Sequence, residues 1–173
     1  MALFRILLFL AFLALPLSAL ADGPFRQHRF SVVKCLDVKK DNIVFLGNSI
    51  TNMHPWSEAW GDAKVLNRGV SGAKTAEILQ NIDYIIKGHP NELYLMVGTN
   101  DADSLDVILL NTRKILFKIS KKSPQTRVFL QTLLASDVGK RSVGFIEECN
   151  RRLCEMARNE FPEVGIVDTY HAV

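Results

Sequence analysis

Three short segments concentrate residue types able to do chemistry: Gly47-Asn48-Ser49-Ile50-Thr51, Asn67-Arg68-Gly69-Val70-Ser71-Gly72 and Gly98-Thr99-Asn100-Asp101. A serine hydroxyl becomes a nucleophile when a neighbouring base takes its proton, and backbone or amide N–H groups can hold a developing oxyanion. Glycine lets a backbone approach a ligand closely, and asparagine offers a neutral donor that does not titrate. Each segment alone reads equally well as a turn, because Gly, Asn, Asp and Ser dominate turns. The three together are harder to reduce to turns. Other glycine-rich readings fail on detail. There is no Gly-x-Gly-x-x-Gly run, and Gly72-Ala73-Lys74-Thr75 lacks the glycine that a phosphate loop needs directly before its lysine. Thr51 stands where the nucleophile elbow Gly-x-Ser-x-Gly requires its last glycine. No Cys-x-x-Cys or His-x-x-x-His pair occurs, so a structural metal site has no support.

The elements that must position these segments alternate along the chain. Ile43-Val44-Phe45-Leu46 is a continuous apolar run, as in a strand buried on both faces, and it ends at Gly47. Val65-Leu66-Asn67, Leu93 to Val97, Val128 to Leu133 and Gly165 to Asp168 supply four more strands. Between them, Ile78, Leu79, Ile82, Ile85 and Ile86 form a helical stripe in a helix from Thr75 to Lys87. A second helix, capped by Ser104, repeats the spacing through Ile108, Leu109, Thr112, Ile115, Leu116 and Ile119. A third runs through Ile146, Cys149, Asn150, Leu153 and Ala157. Strands separated by helical crossovers predict one α/β domain, residues 41–173, with a five-stranded parallel sheet covered on both faces. In such sheets ligands bind at the carboxyl ends of the strands, where all three segments fall.

Over roughly Asp41 to Tyr170 the chain resembles the SGNH or GDSL hydrolases and is similar to the secreted bacterial acetylesterases among them. The three segments, in this order and at these strand ends, carry the resemblance. It implies a flavodoxin-like three-layer α/β/α fold, Ser49 as nucleophile, and an oxyanion hole formed by the Gly72 amide and the Asn100 side chain, with the Ser49 N–H able to join them. The family's usual aspartate before the nucleophile is Asn48 here, similar in size and hydrogen-bonding reach. No cofactor is implied. The expected substrate is a short-chain acyl ester on a small molecule or carbohydrate. The other class of reading is a glycan-binding protein that keeps the site without its base.

The base is the open question. The family supplies it in an Asp-x-x-His before a closing helix, and this sequence has one such motif, Asp168-Thr169-Tyr170-His171. The motif is either the catalytic pair or the end of the fifth strand. Since the family's pair comes a loop later, the strand-end reading is favoured, with the pair and the closing helix lying beyond Val173. Trp56 and Trp60 are expected to pack the first helix rather than line a pocket with His54. His89 belongs to a turn at the opposite pole, and His28 to a leader segment, residues 22–40, expected as an extended arm.

Residues 1–21 have one early charge, an apolar run from Ile6 to Leu17 broken at Pro16, and Ala-x-Ala before Asp22. They read as a secretory signal peptide cut after Ala21, giving a secreted or periplasmic protein with no stable membrane anchor. Cys35, Cys149 and Cys154 are an odd count without a complete disulfide framework, and Cys149 and Cys154 are expected as buried thiols. The formal net charge of +3 is small. Lys114, Lys118, Lys121, Lys122, Arg151 and Arg152 fall at solvent-face spacings without interleaved aromatics, so a nucleic-acid partner is not expected.

Overall fold

The structure, a computed structural model, describes residues 23–101, 104–134 and 142–172. The signal-peptide expectation falls outside them. Five strands, β1 (Ile43–Gly47), β2 (Val65–Gly69), β3 (Glu92–Met96), β4 (Arg127–Gln131) and β5 (Gly165–Val167), form one parallel sheet in the order β2-β1-β3-β4-β5. The order reverses between β1 and β3, so the loops leaving these two strands part and open a crevice at their carboxyl ends.

Seven helices lie among the described residues: α1 (Pro24–Cys35), α2 (Ser49–Met53), α3 (Trp56–Trp60), α4 (Thr75–Asn81), α5 (Asp83–Ile86), α6 (Leu105–Lys122) and α7 (Val143–Glu160). The apolar stripes expected on α6 and α7 are the faces they bury, from Ile108 to Ile119 and from Ile146 to Ala157. Ser104 caps α6 by accepting from the N–H groups of Asp106 and Val107. These helices close over the face built by Val44, Leu46, Leu93, Leu95, Val128 and Leu130, which forms one continuous core.

The single helix expected from Thr75 to Lys87 is instead two short ones meeting at Ile82. There Ile82 O accepts from both Ile85 N–H and Ile86 N–H at 3.0 Å, an i+3 contact beside the regular i+4 bond. Of the segment 22–40, expected as an extended arm, the described residues 23–40 are largely helical instead. Pro24 opens the helix α1, and Arg26, Arg29, Phe30 and Val33 follow the i, i+3, i+4, i+7 spacing of one helix face. Two arginines among those four positions disguise the stripe in the sequence.

The opposite sheet face is aromatic. Register pairs Phe45 with Tyr94 and Tyr94 with Phe129, and their rings stack with centroids 4.7 Å apart at each step. Trp56 extends the ladder by lying on Phe45 at 3.7 Å and 8°. A Cβ on Gly165 would come within 2.6 Å of the Phe129 ring, so glycine lets that ring lie over β5. Helices on both faces were expected. Among the described residues this face is covered only by α2 and α3, over the β2 end, and Tyr94 and Phe129 are left half-buried. Burial, then a hydrogen bond to Glu92, pushes the Tyr94 phenol up to about 12.

Several basic side chains on the helix surfaces are paired: Lys118 and Lys122 with Asp83, Arg151 with Glu148 and Glu155, and Arg152 with Asp106. Cys149 is buried, Cys154 is half-buried with burial pushing its thiol up, and Cys35 is exposed. Among the described residues no helix is long and apolar enough to cross a membrane.

Candidate active site

β1 runs straight into the first segment. A Cβ on Gly47 would sit 2.3 Å from Thr51 Oγ1 and 2.4 Å from Met96 O, so only glycine allows the chain to pass between its neighbours. Asn48, 1% exposed, turns the chain: its Oδ1 accepts from Ile50 N–H at 3.0 Å and caps α2. An asparagine does this without burying a charge. Ser49 is thereby the first residue of α2, half-buried at the crevice.

The second segment is fastened to the first. Val70 N–H donates to Gly47 O at 2.9 Å, and Asn52 Nδ2 donates to Ser71 Oγ at 3.0 Å. A Cβ on Gly69 would meet Asn52 N at 2.3 Å, so α2 rests directly on the end of β2. Asn67 locks the corner, its Oδ1 accepting from Gly69 N–H and its Nδ2 donating to Asn52 O and His54 O. Gly72 has φ of +77°, a left-handed conformation that side chains resist.

The third segment is tied to the second. Asn100 Nδ2 donates to Ala73 O at 3.1 Å; an amide nitrogen carries two hydrogens, so one donor remains for a ligand. Asp101, 5% exposed, accepts from Thr75 N–H at 3.0 and 3.2 Å and from the Thr75 hydroxyl, which also accepts from Asn111 Nδ2. The loops carrying Ser49, Gly72 and Asn100 thus form one braced unit on the neighbouring strands β2, β1 and β3. Asn52, Thr75 and Asp101, which do the bracing, are not singled out by the sequence. Of these, Asp101 lies within the third segment, three residues after Gly98, but no local pattern there marks its bracing role.

The Asp168–His171 motif lies elsewhere. His171 Nδ1 meets Asp168 Oδ2 at 2.7 Å, and this hydrogen bond holds the Asp168 carboxyl below its ordinary value. Thr132 donates to Asp168 Oδ1, Tyr170 N–H donates to Thr132 Oγ1, and the Thr169 hydroxyl donates to Thr132 O. The pair lines a cavity of about 420 Å³ with Thr132, Asn150, Cys154 and Tyr170, to which Ser49, Gly72 and Asn100 do not contribute. β3 and β4 separate β1 from β5. Three inter-strand steps put β1 and β5 about 14 Å apart across the sheet. Asp168 follows Val167, the last residue of β5.

Trp56 packs on Phe45 and donates from Nε1 to Thr51 O at 2.8 Å, bracing α2 from below. Trp60 tilts over Phe45 and is half-exposed, while His54 ends α2 with its ring 4.2 Å from Trp56. His89 bonds Ser123 Oγ at the amino end of the sheet. His28 lies on α1.

No protein-family model matches the chain, and no curated protein matches it at the level of sequence. Solved structures do match. A protein from Streptococcus pneumonia, provisionally described as a platelet activating factor, is 26% identical, with a TM-score of 0.77 over 94% of this chain and 81% of its own. A carbohydrate esterase family 3 protein from Talaromyces cellulolyticus is 20% identical, with a TM-score of 0.62 over 76% of this chain and 81% of its own. An acetylxylan esterase from Geobacillus stearothermophilus is 17% identical, with a TM-score of 0.60 over 79% and 80%. GDSL-like lipases are among the other matches. With its strand order and its three braced loops at the crevice, the chain has the fold of the SGNH/GDSL hydrolases.

Proposed function

We propose that the chain is an exported serine esterase that removes short acyl groups, acetyl above all, from a carbohydrate or other small alcohol. The observation that carries this reading is the bracing of the three loops at the β1/β3 crevice, on a fold shared with acetyl and acetylxylan esterases. Ser49 Oγ attacks the ester carbonyl carbon and loses its proton to a base. The carbonyl oxygen becomes an oxyanion facing the Ser49 and Gly72 N–H groups and the Asn100 amide. Collapse expels the alcohol, which takes up the proton, and water then releases the acyl group from Ser49. Each preorganised donor contributes about 3–4 kcal/mol to lowering such a barrier. Export rests on residues 1–21 read as a signal, and the amino-terminal sequence of secreted protein checks it: Asp22 is expected first.

A second reading has its own observation. Asp168–His171, the carboxylate–imidazole pair among the described residues, stands about three strand spacings from Ser49. A site without a base within reach is that of a glycan-binding protein that does not turn its ligand over. Hydrolysis of p-nitrophenyl acetate by the wild type and by Ser49→Ala separates the two. The esterase predicts a rate lost with Ser49. Equal rates in both proteins would overturn it, and a silent wild type that still binds acetylated xylo-oligosaccharide would support the second.

A further inference from the structure

β2 is an edge strand, and its outward row of backbone groups is not left to water. Ile43 N–H and Val70 N–H bond Lys64 O and Gly47 O between β1 and β2, so the even-numbered groups of β2 face β1 and the carbonyls of Asn67 and Gly69 face outward. Arg29, on α1, spans both: Nε donates to Gly69 O and Nη2 to Asn67 O, each at 3.1 Å. One turn earlier on the same face, Arg26 Nη1 donates to Gly72 O at 3.3 Å, and its Nε lies 3.4 Å from Glu77 Oε1. Glu77 in turn accepts from Lys74 N–H at 3.0 Å. The contacts of α1 therefore fall on the backbone of the second segment at three points, the last being Gly72 itself.

Packing alone does not call for arginine here. Phe30 and Val33 already seat α1 on the core. Arg68, 5% exposed and beside Arg29, is held by Asn67 O and Asp37 O with its Nε unpartnered, so positive charge is gathered under the loop. Burial lowers the Arg29 and Arg68 pKa values. Desolvating a guanidinium is costly, whereas an aliphatic side chain would close a helix on a sheet edge without that cost. What arginine adds is a rigid fork that fixes carbonyl positions.

We propose that Arg26 and Arg29 are positioning residues for the oxyanion loop: by fastening α1 to the carbonyls of Asn67, Gly69 and Gly72, they set where the Gly72 N–H stands relative to Ser49. Neither touches the substrate. The inference rests on the esterase reading for its catalytic consequence, and on the hydrogen bonds alone for its structural one.

The test uses the full chain with Arg26→Ala, Arg26→Lys, Arg29→Ala, Ser49→Ala and, as a control on the exposed side of α1, Gln27→Ala. Two readouts are taken: steady-state hydrolysis of p-nitrophenyl acetate and hydrogen exchange at the Ala73 amide, which shares a peptide unit with the Gly72 carbonyl and donates to Val70 O at 3.0 Å. Arg26→Ala and Arg29→Ala are expected to lower kcat about tenfold with KM within about twofold, as misplacing a catalytic donor should. Ala73 exchange should quicken in the same variants, Arg26→Lys should recover part of both effects, and Gln27→Ala should change neither. If Ser49→Ala abolishes hydrolysis while the arginine variants keep wild-type kcat and Ala73 exchange, the clamp is wrong and the esterase stands. If hydrolysis does not depend on Ser49, the esterase reading fails, and exchange at Ala73 alone then supports or overturns the clamp. A variant that has lost its fold would quicken exchange throughout the core, at Leu95 as much as at Ala73, and Arg26→Lys with the split between kcat and KM then decides.

Discussion

The carboxyl edge of the sheet has two halves, built on opposite terms. Over β2, β1 and β3 the loops are short, partly buried, and joined to one another by side chains that satisfy backbone groups, such as Asn67, Asn100 and Asp101. Over β4 and β5 the Asp168–His171 pair is exposed, and the bonds given for it stay within the β4 and β5 ends. A braced half holds donors in place before a ligand arrives, which is what oxyanion stabilisation requires. The contrast teaches that an acid–histidine pairing by itself says little about catalysis; the place of the pair relative to the braced nucleophile decides.

The sharpest way to break this comparison, after Ser49→Ala, is to remove a donor from the braced half. Asn100→Ala is expected to lower kcat for p-nitrophenyl acetate about a hundredfold or more with KM little changed. An equal loss in His171→Ala would erase the distinction between the halves; that variant is expected within about twofold of wild type. Asp101→Ala tests the bracing rather than the chemistry. It leaves the buried N–H and hydroxyl of Thr75 without their shared acceptor, and should cost roughly 3 kcal/mol in urea denaturation. The smallest effect belongs to Asp168→Asn. The folded-state pKa of Asp168 lies below its unfolded value, chiefly through the His171 hydrogen bond, so its stabilisation is present above the usual carboxylate range. It is lost as pH falls through the lowered value. The Tm difference between wild type and Asp168→Asn should therefore be small near neutrality and vanish in acid.

Much of this was legible in the residues. The runs at Ile43 and Leu93 and the stripes of α6 and α7 announce themselves, because burial on both faces of a strand or one face of a helix leaves a periodic record. The three loop segments were legible too, as clusters of small polar residues at strand ends. What escaped has a common cause: polar side chains used for structure. Arg26 and Arg29 occupy core-facing positions of α1, so a hydrophobic pattern search passes over the helix. Asn52, Thr75 and Asp101 brace loops through bonds across 19 and 26 positions of sequence, which no local pattern records.

The ring ladder Trp56–Phe45–Tyr94–Phe129 has a use beyond packing. Its members come from a helix and from β1, β3 and β4, and they meet only while those strands keep register, since a slip of one residue would send a ring to the other side of the sheet. Stacked chromophores couple optically. The near-ultraviolet circular dichroism of this protein is thus a built-in gauge of strand alignment, able to fade while the far-ultraviolet signal of α6 and α7 persists.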